Sequence, residues 1–164
     1  GRFAALLDET LNSEMDLHRS FCSDLGISEA ELEATVAEST TTAYTDHLLR
    51  TAYDGTIEEL AAALLPCQWG YDEVGRLLEF LNRPDPDSFH SRWVAGYCEP
   101  EYLKMTGWLR GFVDVVGAAA TVEVRGRMEV AFRVSTRYAY MFWEAAWGSR
   151  GRSFLGCGAL APAR

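Results

Sequence analysis

The sequence predicts an all-α domain, and three observations carry that expectation. Apolar residues recur at three- and four-residue spacing through most of the chain, and no stretch sustains the alternation of a strand. Glycine and proline punctuation falls between the periodic segments, at Gly26, Gly55, the turn over 82–88 and Pro100. The 164 residues are 48% hydrophobic and 12% aromatic, which suits one domain with a packed core and excludes a disordered chain.

The first helix is expected over 3–25, with Leu6, Leu7, Leu11, Met15, Leu17, Phe21 and Leu25 as its apolar positions and Gly26 as its stop. Glu14 and His18 are four residues apart on it and read as a helix-surface pair. Ser28 starts a short acidic helix, with Glu31 at the capping-box position. The polar, β-branched run 38–42 reads as a connector or N-cap region before a helix over 43–52. Thr56 then caps a long central helix over 57–81, which Pro66 is expected to bend. After the 82–88 turn come a short helix over 89–97, a break at Glu99 and Pro100, and a helix over 101–116. The last helix covers 122–147, with Met128, Phe132, Met141, Phe142 and Trp143 as its apolar stripe. Beyond it, residues 148–164 are rich in Gly, Ala, Pro and Arg without periodicity and read as a flexible tail, so the domain is 1–147.

Charge and composition exclude several functions. With 15 basic against 24 acidic residues the net charge is -9, which disfavours nucleic acid as a partner. No apolar run reaches the length of a membrane span, and no basic-then-apolar leader opens the chain, so the expected location is the cytoplasm. Cys22, Cys67, Cys98 and Cys157 form no CxxC pair, so no metal site is expected and the thiols are read as free.

The stretch that stands out is Leu-Pro-Cys-Gln-Trp-Gly-Tyr-Asp-Glu-Val-Gly, residues 65–75. A proline sits deep inside a helical pattern, Cys67 lies beside it, and Tyr71 follows one turn later on the same face. Taken singly, a buried cysteine is usually a small hydrophobe, and a tyrosine at this spacing is usually core. Taken together, the string is similar to the signature of the TenA/thiaminase II family, the aminopyrimidine aminohydrolases of thiamin salvage. Three further islands resemble the family in the same order: Tyr44, the Trp93-Val-Ala-Gly-Tyr97 segment, and Tyr138-Ala-Tyr-Met-Phe-Trp-Glu-Ala-Ala146.

That resemblance implies a helical bundle of the haem-oxygenase type and a small aminopyrimidine as substrate. It implies hydrolysis of a C–N bond with no cofactor, in a cytoplasmic homo-oligomer, usually a tetramer. By position, Cys67 matches the nucleophile, Tyr71 and Tyr97 match substrate-binding tyrosines, Tyr44 matches a pocket tyrosine near the nucleophile, and Phe142 matches an aromatic that packs on the ring. Stacking faces and a few phenols suit a flat heteroaromatic ligand. Trp69, Trp93 and Trp143 are expected in the core.

Two departures from the family pattern stand out. Its last helix carries a Glu that donates a proton to the leaving group, and here that position is Ala139. Glu144 lies about 140° around the helix from Ala139 and is a poor substitute. Family members also carry helices ahead of the segment matched here, which supply an Asp for the pyrimidine. No Asp of this chain takes that role by motif, and Asp46 lies in the wrong helix. Without those helices an apolar face is expected to be exposed, which oligomerisation could cover. The competing expectation is therefore a non-catalytic homologue that binds the pyrimidine or thiamin. A haem site is a third reading, with His18, His47 and His90 as its candidate ligands, and none of the three sits in a ligation motif.

Overall fold

The computed structural model describes residues 1–81, 85 and 88–148. The tail at 149–164, with Cys157, and most of the 82–88 turn lie outside the described residues. Every regular element among the described residues is helical. In order they are α1 (Arg2–Asp8), a π-helical stretch (Glu9–Glu14), α2 (Met15–Asp24), α3 (Glu29–Glu33), α4 (Ser39–Asp54), α5 (Ile57–Leu81), α6 (Phe89–Cys98), α7 (Pro100–Ala119) and α8 (Val122–Gly148).

Most expected boundaries hold. Gly26 ends the first helical run with φ 78°, the left-handed conformation that glycine adopts without steric cost. Ser28 and Glu31 form the reciprocal capping box of α3. Helix α5 runs unbroken through Pro66. Others move, and α7 runs on to Ala119, three residues past its expected end. The run at 39–42 is helical, because Glu38 with its extended backbone serves as N-cap and the threonines continue into α4. Pro100 opens α7 as its first residue, where the absent N–H has no helical partner to lose.

The chain divides into two compact units, Gly1–Ala37 with Tyr71–Gly111, and Glu38–Gly70 with the residues from Phe112 onward. In the first unit, Phe21 of α2 meets Phe89 of α6 edge to face at 4.7 Å. Arg92 reinforces that joint by lying over the Phe21 ring at 5.3 Å and pairing with Asp24. Trp108 of α7 takes Phe3 of α1 at 5.0 Å. Leu109 is fully buried, and so is Thr106, whose hydroxyl donates to the Tyr102 carbonyl. The π-helical stretch widens one turn and changes the phase of the apolar face. Of the expected apolar positions, Leu7, Leu11, Met15 and Leu25 are exposed and Phe21 alone is buried.

In the second unit, α4 packs along α8. His47 on α4 has Nε2 3.3 Å from the carbonyl oxygen of Ala131 on α8. Arg127 of α8 donates to the buried carboxylate of Glu59 on α5 at 2.8 Å. Ala61, Ala62, Ala63 and Leu65 of α5 are buried together, and consecutive small residues allow close approach from more than one side. The expected stripe of α8 splits. Met128 is buried, but Met141, Phe142 and Trp143 are all exposed, so Trp143 is not the core residue its type suggested. Val122, Val130, Tyr140 and Trp147 of α8 are exposed as well. None of the helices, searched over the described residues, is long and apolar enough to cross a membrane.

Leu109 has no accessible surface, so Leu109→Ala should lower unfolding free energy by about 2–5 kcal/mol in chemical denaturation.

Candidate functional site

Cys67 is exposed on α5, one residue beyond a buried Pro66. Its sulfur acts electrostatically on Tyr44 of α4, in the same unit. Burial, and then the neighbouring Cys67, push the Tyr44 phenol far above the ordinary tyrosine range, while the nearby Ser135 hydroxyl opposes that shift. Tyr44 is therefore a neutral phenol at physiological pH, a donor held beside a thiol. Its ring stacks on Tyr138 of α8, with centroids 5.7 Å apart and planes 23° from parallel.

The polar end of this arrangement is incomplete. Tyr44 Oη and Ser135 Oγ are both buried, and neither makes a hydrogen bond of acceptable geometry with any described group. A buried hydroxyl left unpaired costs about 1–3 kcal/mol. Such a pair, with Tyr44 near a thiol, is better suited to meeting a polar ligand than to stability alone. Ser135 is four residues before Ala139, which places the methyl one turn further along α8 on the same face. Sequence reasoning missed Ser135, since a serine in mid-helix carries no signal until its burial and its missing partner are seen. Phe142 is 37% exposed and meets Trp143 edge to face at 5.9 Å.

Tyr71 and Tyr97 belong to the other unit. Tyr97 on α6 is only 5% exposed and sits among three other rings. Tyr71 and Trp93 lie at 4.7 Å from it, and Tyr102 at 5.2 Å edge to face. The close seat depends on Gly75, because a Cβ there would come within 2.9 Å of the Tyr97 Cβ. The Tyr97 hydroxyl donates to Oε1 of Glu14 at 3.2 Å, and His18 Nε2 lies 3.7 Å from the same oxygen. The hydrogen bond from His18 first, and that from Tyr97 after it, hold the Glu14 carboxyl below the usual carboxylate range against the opposing effect of burial. The pair expected on the helix surface thus reaches a buried phenol on another helix.

Other features of the molecule do not compete with these. An open groove of about 730 Å³ runs between α4 and α8, lined by Asp46, Arg50, Asp54, Glu59, Arg127 and Tyr138 among others. Cys67 and Tyr44 do not line it, and its charged floor is the Glu59–Arg127 pair. The described residues contain no group of three or more His, Cys, Asp or Glu disposed to hold a metal ion. Of the three candidate haem ligands, His18 lies against Glu14, His47 against the Ala131 carbonyl and His90 edge-on to Phe89.

Gly75→Ala should destabilise the protein by roughly 1 kcal/mol in denaturant titration, because the clash with Tyr97 outweighs the helix propensity gained. Glu14 should show the pH dependence of a carboxylate whose folded pKa is depressed. Its stabilisation is present above the ordinary carboxylate range and is lost as pH falls through the lowered folded value. Unfolding curves of the parent chain and Glu14→Gln should therefore differ at neutral pH and converge in acid.

Residues 2–149 match the TENA/THI-4/PQQC family. The chain is 36% identical over 148 residues to the aminopyrimidine aminohydrolase of Halalkalibacterium halodurans, covering 90% of this chain and 66% of that protein. It is 35% identical over 153 residues to the aminopyrimidine aminohydrolase of Bacillus subtilis, covering 93% and 64%. Among solved structures it resembles the TenA homologue of P. horikoshii, with a TM-score of 0.77, 28% identity, and 87% and 65% of the two chains covered. The chain thus spans about two thirds of the length of the curated relatives it matches, and it shares their all-α helical-bundle fold. On the family match and these identities, the chain belongs to the TENA/THI-4/PQQC family.

Proposed function

We propose that this chain is an aminopyrimidine aminohydrolase of the thiaminase II type, acting in thiamin salvage with Cys67 as nucleophile. The observation that carries the proposal is the exposed Cys67 thiol close enough to act on the buried Tyr44 hydroxyl, which has Ser135 as its neighbour. The substrate is a 4-amino-5-aminomethyl-2-methylpyrimidine or a closely related ring.

The Cys67 thiolate adds to an electron-poor carbon of the protonated ring and forms a C–S bond. The side-chain amine departs as ammonia once it has taken up a proton. Water adds at the carbon it leaves, and the C–S bond then breaks, returning the thiolate and giving the hydroxymethylpyrimidine. Tyr71, Tyr97 and Phe142 supply aromatic contact to the ring, and Tyr44 supplies a neutral phenol next to the sulfur. Neither a cofactor nor a metal enters this chemistry. The protein works in the cytoplasm as a homo-oligomer, and the exposed Met141, Phe142 and Trp143 of α8 support self-association.

Ala139 favours a second reading, in which the pyrimidine binds without turnover. A methyl group cannot protonate a departing amine, and loss of a general acid lowers rates by about 10²- to 10⁴-fold.

Ammonia release from 4-amino-5-aminomethyl-2-methylpyrimidine separates the two readings. The hydrolase reading expects release above a Cys67→Ser control, and a rate no higher than that control contradicts it. Ala139→Glu should raise the rate by about 10²- to 10⁴-fold, whereas the binding reading expects calorimetric heat without ammonia.

A further inference from the structure

Helices α4 and α8 run antiparallel, because Tyr44 meets Tyr138, His47 meets Ala131, and Glu59 beyond the end of α4 meets Arg127. The groove between them lies within one unit and has the volume of a small-molecule site, about 730 Å³. Asp46, Asp54 and Glu59 line it against Arg50 and Arg127. Both guanidiniums already face carboxylates. Arg127 donates to Glu59 Oε1 at 2.8 Å and to Glu123 Oε1 at 2.9 Å, and Arg50 lies 3.7 Å from Asp54. Asp46 is exposed and has no ion pair or side-chain hydrogen bond among the described residues.

Glu59 is only 8% exposed, and its Oε1 is spent on Arg127, whereas Oε2 accepts no hydrogen bond from any described group. That second oxygen lies beside Gly55, another lining residue, where an added Cβ would stand 3.1 Å from it. A nearly buried carboxylate oxygen with unused capacity calls for a donor. The last turn of α4 borders the same place, and the partial negative charge on its carbonyls favours a donor that is cationic.

Negative charge therefore stands at two places along the groove. Asp46 and Asp54 are eight residues apart on α4, about 12 Å along its axis. The facing wall from α8 is apolar at Val130, Ala131 and Val134. We propose that this groove is a second binding site, for a linear aliphatic diamine. One ammonium meets Glu59 Oε2 and Asp54, the other meets Asp46, and the methylenes between them lie along the apolar wall. The inference stands apart from the reading of Cys67, which does not line the groove.

Calorimetry with 1,8-diaminooctane tests it, against 8-aminooctanamide, which has the same length and one charge. The parent chain should bind the diamine roughly fivefold more tightly, the scale of one exposed ion pair. Asp46→Asn should remove that preference, whereas Asp16→Asn, at an exposed carboxylate of the other unit, should keep it. Arg50→Ala should tighten the diamine by roughly twofold, because Asp54 loses its competing cation. No binding of the diamine, equal affinity for the two ligands, equal losses in Asp46→Asn and Asp16→Asn, or weaker binding in Arg50→Ala each overturns the inference and leaves the functional reading standing.

Discussion

A buried hydroxyl must find a partner, and the buried hydroxyls of Tyr44 and Ser135 have only each other nearby, short of a hydrogen bond of good geometry. The account of this protein depends on that constraint. Desolvation keeps the Tyr44 phenol neutral, and the Cys67 sulfur reinforces the effect. Cys67 itself is exposed, although the preceding residues of α5 are among the most buried of the chain. A thiol that leaves the core within two residues of Leu65, and lies near the buried Tyr44 phenol, is placed for chemistry more than for packing.

The aromatic cluster of the other unit follows a different physical logic. Tyr97 is nearly inaccessible, yet its hydroxyl is paired, so its burial carries no unmet polar group. Gly75 permits the close approach, Trp93 lies one turn before Tyr97 on the same helix, and Glu14 reaches the hydroxyl from the end of a π-helical stretch. Each ring of the cluster is held by its neighbours, which makes it a rigid aromatic joint.

Much of this was legible in the residues. Period and punctuation located the helices, because Gly26, Ser28, Thr56 and Ser88 act locally and need no tertiary context. Spacing put Cys67 and Tyr71 one turn apart on a single helix. Three features were not legible. The first helical run contains a π-helical stretch, and Leu7, Leu11 and Leu25 are exposed although their spacing promised burial. Ser135 looks like any mid-helix serine until its burial is known. Glu14 and His18 looked like a surface pair, because the phenol they serve is 83 residues from Glu14 along the chain. The exposure of Met141, Phe142 and Trp143 likewise depends on what packs against α8, which periodicity does not report.

The central claim is that Cys67 is the nucleophile of a pyrimidine-binding protein, and selective arylation tests it most directly. Treatment with 4-chloro-5-hydroxymethyl-2-methylpyrimidine lets a thiolate displace chloride and leaves a stable pyrimidinyl thioether that peptide mass mapping can locate. The account predicts rapid modification of Cys67, slowed by the hydroxymethylpyrimidine product, with Cys22, Cys98 and Cys157 modified far more slowly. Modification spread evenly over the four cysteines, or a Cys67 thiol that is spared, would contradict it.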